Sequence, residues 1–299
     1  MHTTGFRRTV FTLVLATCVF AAAPVSAADA TADATVNLYC TFKSGRKTIT
    51  TTGSGVFVSS RGVILTNAHV GRYFLFPDMD DVPLKGSCTV RTGSPAKNAY
   101  TASVLYISPS WLEENAAQTS GTGEGDFALL YVTGASKGAL PTTFPALPLD
   151  TSGTIAAGEQ VTIAGYPTAK VSKNAVRRKL ARISATAAVE DIRGFSRTNS
   201  ADLITIASSA ASSPGVSGGP VVNSAGNLIG LATAISAQKK DPALRAITTA
   251  HINRSVLAET GLPLAVLLWS DPALRAETTR EAISADTLKT LRMSMFKSR

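Results

Sequence analysis

Between about residues 36 and 252 the chain alternates short apolar runs with clusters of glycine, proline, serine and asparagine. The runs "VNLYCTF", "GSGVFVSS", "GVILTNA", "SCTVRTG", "ASVLYIS" and "FALLYV" are followed by "EQVTIAGY", "LARISATAAV", "DLITIAS", "GPVVNS", "NLIGLATAIS" and "RAITTAHI". Each is of strand length and enriched in β-branched and aromatic residues. A dozen strands separated by turn residues predict an all-β sandwich or a pair of barrels. Helical periodicity is scarce before residue 252, so a βαβ organisation, and with it the α/β-hydrolase and subtilisin-like folds, is disfavoured.

Residues 110–125 and 134–158 read as loops, and the second is the natural boundary between two groups of strands. The strands then divide into barrels over about 36–135 and 158–252, and helical character begins at Asn253. The hexapeptide "DPALRA" occurs at 241–246 and again at 271–276; Asp as cap with Pro at the first helical position explains each copy locally. Near the C-terminus Leu288, Leu291 and Met295 share one helical face. That face either docks on the barrels or meets a membrane surface or partner.

The N-terminus departs from this pattern. Arg7 and Arg8 precede the apolar run "VFTLVLATCVFAAA", and Val25-Ser26-Ala27 supplies the small residues of a cleavage site, which predicts a signal peptide over 1–27. The run is shorter than the roughly 20 residues a bilayer span needs. A secreted or periplasmic chain beginning at Ala28, with no integral membrane span, is expected. It keeps 27 basic against 20 acidic side chains. The densest basic patch, Val176 to Arg182, reads as a solvated strand face, and with no aromatic-basic stripe nucleic acid is not an expected partner. Cys18 lies in the signal segment, leaving Cys40 and Cys88. In an oxidising compartment such a pair suits a disulfide better than a metal site, although two buried thiols fit the sequence as well.

Candidate chemistry centres on "SSPGVSGGP", residues 212–220. A serine hydroxyl becomes a useful nucleophile only with a base to take its proton and N–H donors to hold the oxyanion. Glycines around Ser217 allow the Gly215 and Ser217 N–H groups to point into one small site, and Gly218 and Gly219 allow close backbone approach. The base must be His69, which ends the apolar strand "GVILTNA", or His251, placed on the last strand candidate where packing or pocket lining is the better reading. The orienting acid is best supplied by Asp126, which leads from a glycine-rich loop into the apolar "FALLYV"; Asp150 and Asp202 are weaker candidates.

Four stretches in this order, "GSGVFVSSRGVILTNAHV", "GDFALL", "VTIAGYP" and "PGVSGGPVVNSAGNLIGLATA", resemble the trypsin-like, chymotrypsin-fold serine peptidases, in particular the bacterial HtrA and glutamyl-endopeptidase branch. The resemblance covers about residues 36–260. It implies two six-stranded antiparallel β-barrels with a peptidase domain over 28–260 and a partly helical extension over 261–299. His69 would be general base and acid, Asp126 its orienting carboxylate, Ser217 the nucleophile, and the Gly215 and Ser217 N–H groups the oxyanion hole. A protein or peptide substrate would bind between the barrels. Such a triad needs no metal and no organic cofactor, and the oligomeric state is not implied.

Departures from the family pattern refine this. Animal digestive members carry an acid before the nucleophile that captures a new N-terminal ammonium; Val216 stands there and cannot. Glutamyl endopeptidases carry a histidine fifteen residues after the serine, where this chain has Ala232. The position six before the serine, where a trypsin-type acid would sit, is Ala211. Ala211, Ala232 and Thr233, with His251 as a modifier, therefore suggest a pocket for small or apolar side chains. No PDZ module fits in the 48 residues after His251. The alternative is a catalytically silent peptide-binding protein of the envelope, and an esterase on the same triad differs only in leaving group.

Overall fold

The computed structural model describes residues 27–76, 85–116, 123–169, 171–195, 200–235 and 243–297. The expected signal peptide lies outside the described residues except for Ala27, which opens helix α1 (Ala27–Ala34). Strands β1 (Thr35–Ser44), β2 (Lys47–Ser59), β3 (Val63–Thr66), β4 (Lys85–Thr92), β5 (Lys97–Ile107) and β6 (Ala128–Ala135) close into one barrel. Their order around it is β1-β2-β3-β6-β5-β4. Strands β7 (Gln160–Gly165), β8 (Ile183–Arg193), β9 (Leu203–Ile206), β10 (Pro220–Val222), β11 (Leu228–Ile235) and β12 (Leu244–Thr248) close into the second, in the order β10-β11-β12-β9-β8-β7. Every neighbouring pair is antiparallel, so all-β with two six-stranded barrels is the observed fold. Closure leaves no free sheet edge.

The first barrel is filled by side chains such as Val36, Leu38, Phe42, Val56, Ile64 and Leu129, the second by Val161, Ile163, Val189, Ile204, Ile206 and Val221. All four residues of β3 are buried, which is why that run reads as continuously apolar. Cys40 and Cys88 stand opposite each other on β1 and β4 and form a disulfide. The segment between the barrels is pinned to both. Phe144 and Leu147 donate backbone hydrogen bonds to Ser60 and Phe57, and Leu149 bridges in parallel to Leu228.

Helices fill some places the sequence presented as loop or strand. Helix α2 (Ala68–Gly71), rather than a continuing strand, carries His69. Helix α3 (Pro109–Ala116) occupies the first expected loop; the Ser108 hydroxyl accepts from the Trp111 N–H, Pro109 starts the helix, and Trp111 and Leu112 are buried. The basic patch is not a strand face. Ser172 caps helix α4 (Lys173–Arg178), which buries Val176 and leaves Arg177 and Arg178 exposed. The two "DPALRA" copies diverge: Asp271 caps helix α7 (Pro272–Ala282) as expected, whereas Leu244-Arg245-Ala246 lies in β12 because β9 and β11 pair with it on both sides. Asp241 and Pro242 lie outside the described residues.

Helix α5 (Thr249–Thr260) follows β12 directly, and the C-terminal segment continues as α6 (Leu264–Trp269), α7 and α8 (Ala285–Lys297). Leu264, Leu267 and Leu291 join the core cluster that fills the first barrel and reaches Val222, Leu228 and Ile247 of the second, and the Thr279 hydroxyl donates to the Leu105 carbonyl of β5. Among the described residues no helix is long and apolar enough to cross a membrane.

Candidate functional site

The site lies where the two barrels meet. Asn67 ends the turn after β3 and its side-chain amide donates to the Asp126 carbonyl at 2.9 Å, tying the His69 helix to the start of β6. The His69 backbone N–H donates to Asp126 Oδ1 at 2.8 Å, and His69 Nδ1 lies 2.8 Å from Asp126 Oδ2. A ring nitrogen facing a carboxylate carries its hydrogen there, so in the neutral ring the lone pair lies on Nε2. Exposure divides the pair: the His69 side chain is 40% exposed and that of Asp126 11%.

Burial by itself would push the Asp126 carboxyl upward. The His69 charge, the hydrogen bonds from its ring and backbone and the Thr233 hydroxyl outweigh it and hold the carboxyl below the usual range. Thr233, on β11 of the second barrel, donates to Asp126 Oδ2 at 2.8 Å. Its carbonyl accepts the Ser217 hydroxyl at 3.0 Å. One residue of the second barrel thus ties together the acid of the first and the hydroxyl of the second. Among the described residues Ser217 makes no direct hydrogen bond to His69; its acceptor is Thr233.

The loop around Ser217 is a succession of tight turns. Gly218 has φ +84°, and a Cβ there would lie 2.2 Å from the Ser54 carbonyl and 2.3 Å from the Thr66 hydroxyl, so the turn admits only glycine. The Ser217 carbonyl accepts from the Ser54 N–H at 2.8 Å, and the Gly218 N–H donates to the Ala232 carbonyl at 2.7 Å. Among the described residues the Gly215 and Ser217 N–H groups donate to no protein acceptor. Val216, in the place of the family's acid, is fully buried in the second barrel's core.

Of the four residues expected to line a substrate pocket, Thr233 lines the cavity beside His69. Ala211 and Ala232 belong to the second barrel's buried core, and Thr233 faces Asp126. His251 is not on a strand. It sits in the first turn of α5, 4% exposed, with Nε2 3.0 Å from the Glu124 carbonyl, Nδ1 3.4 Å from Asp202 and its ring against Phe195. The cavity that does open beside His69 holds about 250 Å³ and is walled by Phe195, Leu203, Arg245 and Ile247 with Asp126 and Thr233. Sequence reading missed Phe195, in the turn after β8, and Leu203 and Arg245, on β9 and β12, none of which has motif character. Among the described residues no group of three or more His, Cys, Asp or Glu side chains converges as a metal would require.

Over 184 residues the chain is 27% identical to the uncharacterized protein y4bJ of Sinorhizobium fredii (strain NBRC 101917 / NGR234), a stretch that is 60% of this chain and 21% of that protein. The chain therefore spans about a fifth of that relative's length. Among solved structures it is similar to the HtrA-type protease AlgW with decapeptide, at 23% identity and a TM-score of 0.49, covering 79% of this chain and 69% of that one. The family model of the trypsin-like peptidase domain matches residues 53–231, which is more than half of the chain, and the protein belongs to that family.

Proposed function

We propose that the chain is an exported serine endopeptidase in which Ser217 is the nucleophile, His69 the general base and acid, and Asp126 the orienting carboxylate. The observation that carries this reading is the shared anchoring at Thr233, which fixes the sealed Asp126 and the Ser217 hydroxyl from one residue.

Rotation of the Ser217 hydroxyl from the Thr233 carbonyl toward His69 Nε2 begins the reaction. The Oγ–C bond forms on the scissile carbonyl, the proton passes to Nε2, and the carbonyl π pair becomes an oxyanion facing the Gly215 and Ser217 N–H groups. Asp126, held ionised by its contacts, stabilises the imidazolium. Collapse breaks the C–N bond and returns the proton to the leaving amine; water repeats the sequence to release the acid. The Cys40–Cys88 disulfide supports an oxidising destination. The apolar Phe195, Leu203 and Ile247 beside His69 support acceptance of small or apolar side chains before the cut.

A fluorophosphonate probe tests the reading. Labelling at Ser217 of the purified chain, lost in Ser217→Ala, is expected together with cleavage of an unbiased peptide library. Well-folded protein that takes no label, or bound peptides recovered uncut, would overturn it in favour of a silent peptide-binding role.

A further inference from the structure

Family members with an acid before the nucleophile set the oxyanion loop with an N-terminal ammonium, and buried Val216 offers no such partner. Two consecutive peptide planes of this loop are nevertheless held from outside, and a third by a turn within it. The Pro214 carbonyl accepts from the Thr168 N–H at 2.7 Å and the Thr168 hydroxyl at 3.0 Å. The Gly215 carbonyl accepts from the Ser54 hydroxyl at 2.8 Å. The Val216 carbonyl accepts from the Gly219 N–H at 2.8 Å. In a trans peptide the C=O and the following N–H point in opposite directions. Anchoring the Pro214 oxygen therefore aims the Gly215 N–H away from Thr168, Ser54 fixes the intervening plane through the Gly215 oxygen, and the turn bond from Gly219 to the Val216 oxygen aims the Ser217 N–H.

The anchors are themselves fixed. The buried Ser54 hydroxyl also accepts from the Tyr166 N–H at 3.0 Å, and its carbonyl accepts from the Thr66 hydroxyl at 2.7 Å. The fully buried Tyr166 donates its hydroxyl to the Gly93 carbonyl at 2.9 Å. Buried Arg91 of β4 donates to the Val176 and Ala96 carbonyls at 3.1 and 3.3 Å, and to that of Arg177 at the end of α4. This holds the segment that carries Thr168 against the first barrel.

We propose that Ser54 and Thr168 are positioning residues that preset the oxyanion loop from opposite barrels, in place of a terminal ammonium. The proposal rests on the serine peptidase reading above. Ser54 holds the Gly215 carbonyl through its hydroxyl and the Ser217 carbonyl through its N–H, and Thr168 holds the Pro214 carbonyl, so both act through the loop backbone and neither meets the reacting atoms.

The second-order rate of fluorophosphonate labelling and the melting temperature of the purified chain test this together. Thr168→Val, which keeps the shape and loses the hydroxyl, is expected to slow labelling about tenfold, and Ser54→Ala tenfold to about a hundredfold, since losing an oxyanion donor outright costs about 10²–10³. Thr168→Ser restores the rate. The pH at half-maximal rate stays at the wild-type value in each variant, because the His69–Asp126 couple is untouched. Acetylating or extending the N-terminus leaves the rate unchanged. Wild-type rates in both Thr168→Val and Ser54→Ala, or loss of labelling on acetylation, would overturn the proposal; an unlabelled wild type would instead defeat the peptidase reading beneath it. Should Ser54→Ala unfold, the Thr168→Val and Thr168→Ser pair decides alone.

Discussion

At the residue scale Asp126 shows how a carboxylate is kept ionised while sealed from water. Burial disfavours its charge, and three donors, one of them the adjacent imidazole, overcome that cost. Its folded pKa is depressed, so the stability it contributes is complete above the ordinary carboxylate value of about 4 and is lost as pH falls through the lower folded value. Asp126→Asn should therefore be less stable than the parent in urea at pH 7, with the gap closing in acid below pH 4. On the proposed mechanism the same variant, and His69→Ala, should lower kcat at neutral pH by about 10⁴, measured on any peptide that the parent cleaves. Thr233→Val separates the two contacts of Thr233. Only the hydroxyl to Asp126 disappears, and a fall in kcat of about tenfold with Ser217 still labelled is expected.

At the element scale the strands were legible and the short helices were not. Strands such as β2, β6 and β8 announce themselves by β-branched runs between turns, and closure of the barrel needs only that their faces match. Helices α3 and α4 are eight and six residues long, too short for periodicity to register, and their only local signals are Ser caps with a Pro or a polar first turn. The Leu-Arg-Ala triplet settles the point, because the same three residues form strand at 244–246 and helix at 274–276. The disulfide belongs to this scale too. It joins β1 to β4 across a sequence separation of 48 residues, so its removal in Cys40→Ser/Cys88→Ser should cost about 2–4 kcal/mol and lower the melting temperature without changing the far-UV spectrum.

At the scale of the whole molecule the second barrel reaches back onto the first through its C-terminal helices. Glu259 of α5 accepts hydrogen bonds from Tyr106, from Ser108 at 2.8 Å and from Ser110 at 3.2 Å. Burial and this carboxylate push the Tyr106 phenol far above its usual range. Leu264, fully buried, marks where the C-terminal segment becomes part of the core cluster that joins the two barrels. Leu264→Ala should cost about 3 kcal/mol in chemical denaturation, the penalty of a core cavity; a loss below about 0.5 kcal/mol would mean that this segment is not docked in solution.

By itself the sequence determined the strand-rich class, the division near residues 134–158, and the candidacy of His69, Asp126 and Ser217, because turn chemistry and rare polar residues in apolar settings are local signals. Tertiary structure alone decided that Thr233 serves Asp126 and Ser217 at once, that Ala211 and Ala232 are core, and that His251 is enclosed by Asp202, Phe195 and Glu124. It also decided what holds the loop that Val216 leaves without an ammonium partner. Those outcomes depend on which faces of two closed barrels meet, and residues such as Ser54 and Ser217, 2.8 Å apart through their backbone but far apart in the chain, carry no local mark of that meeting.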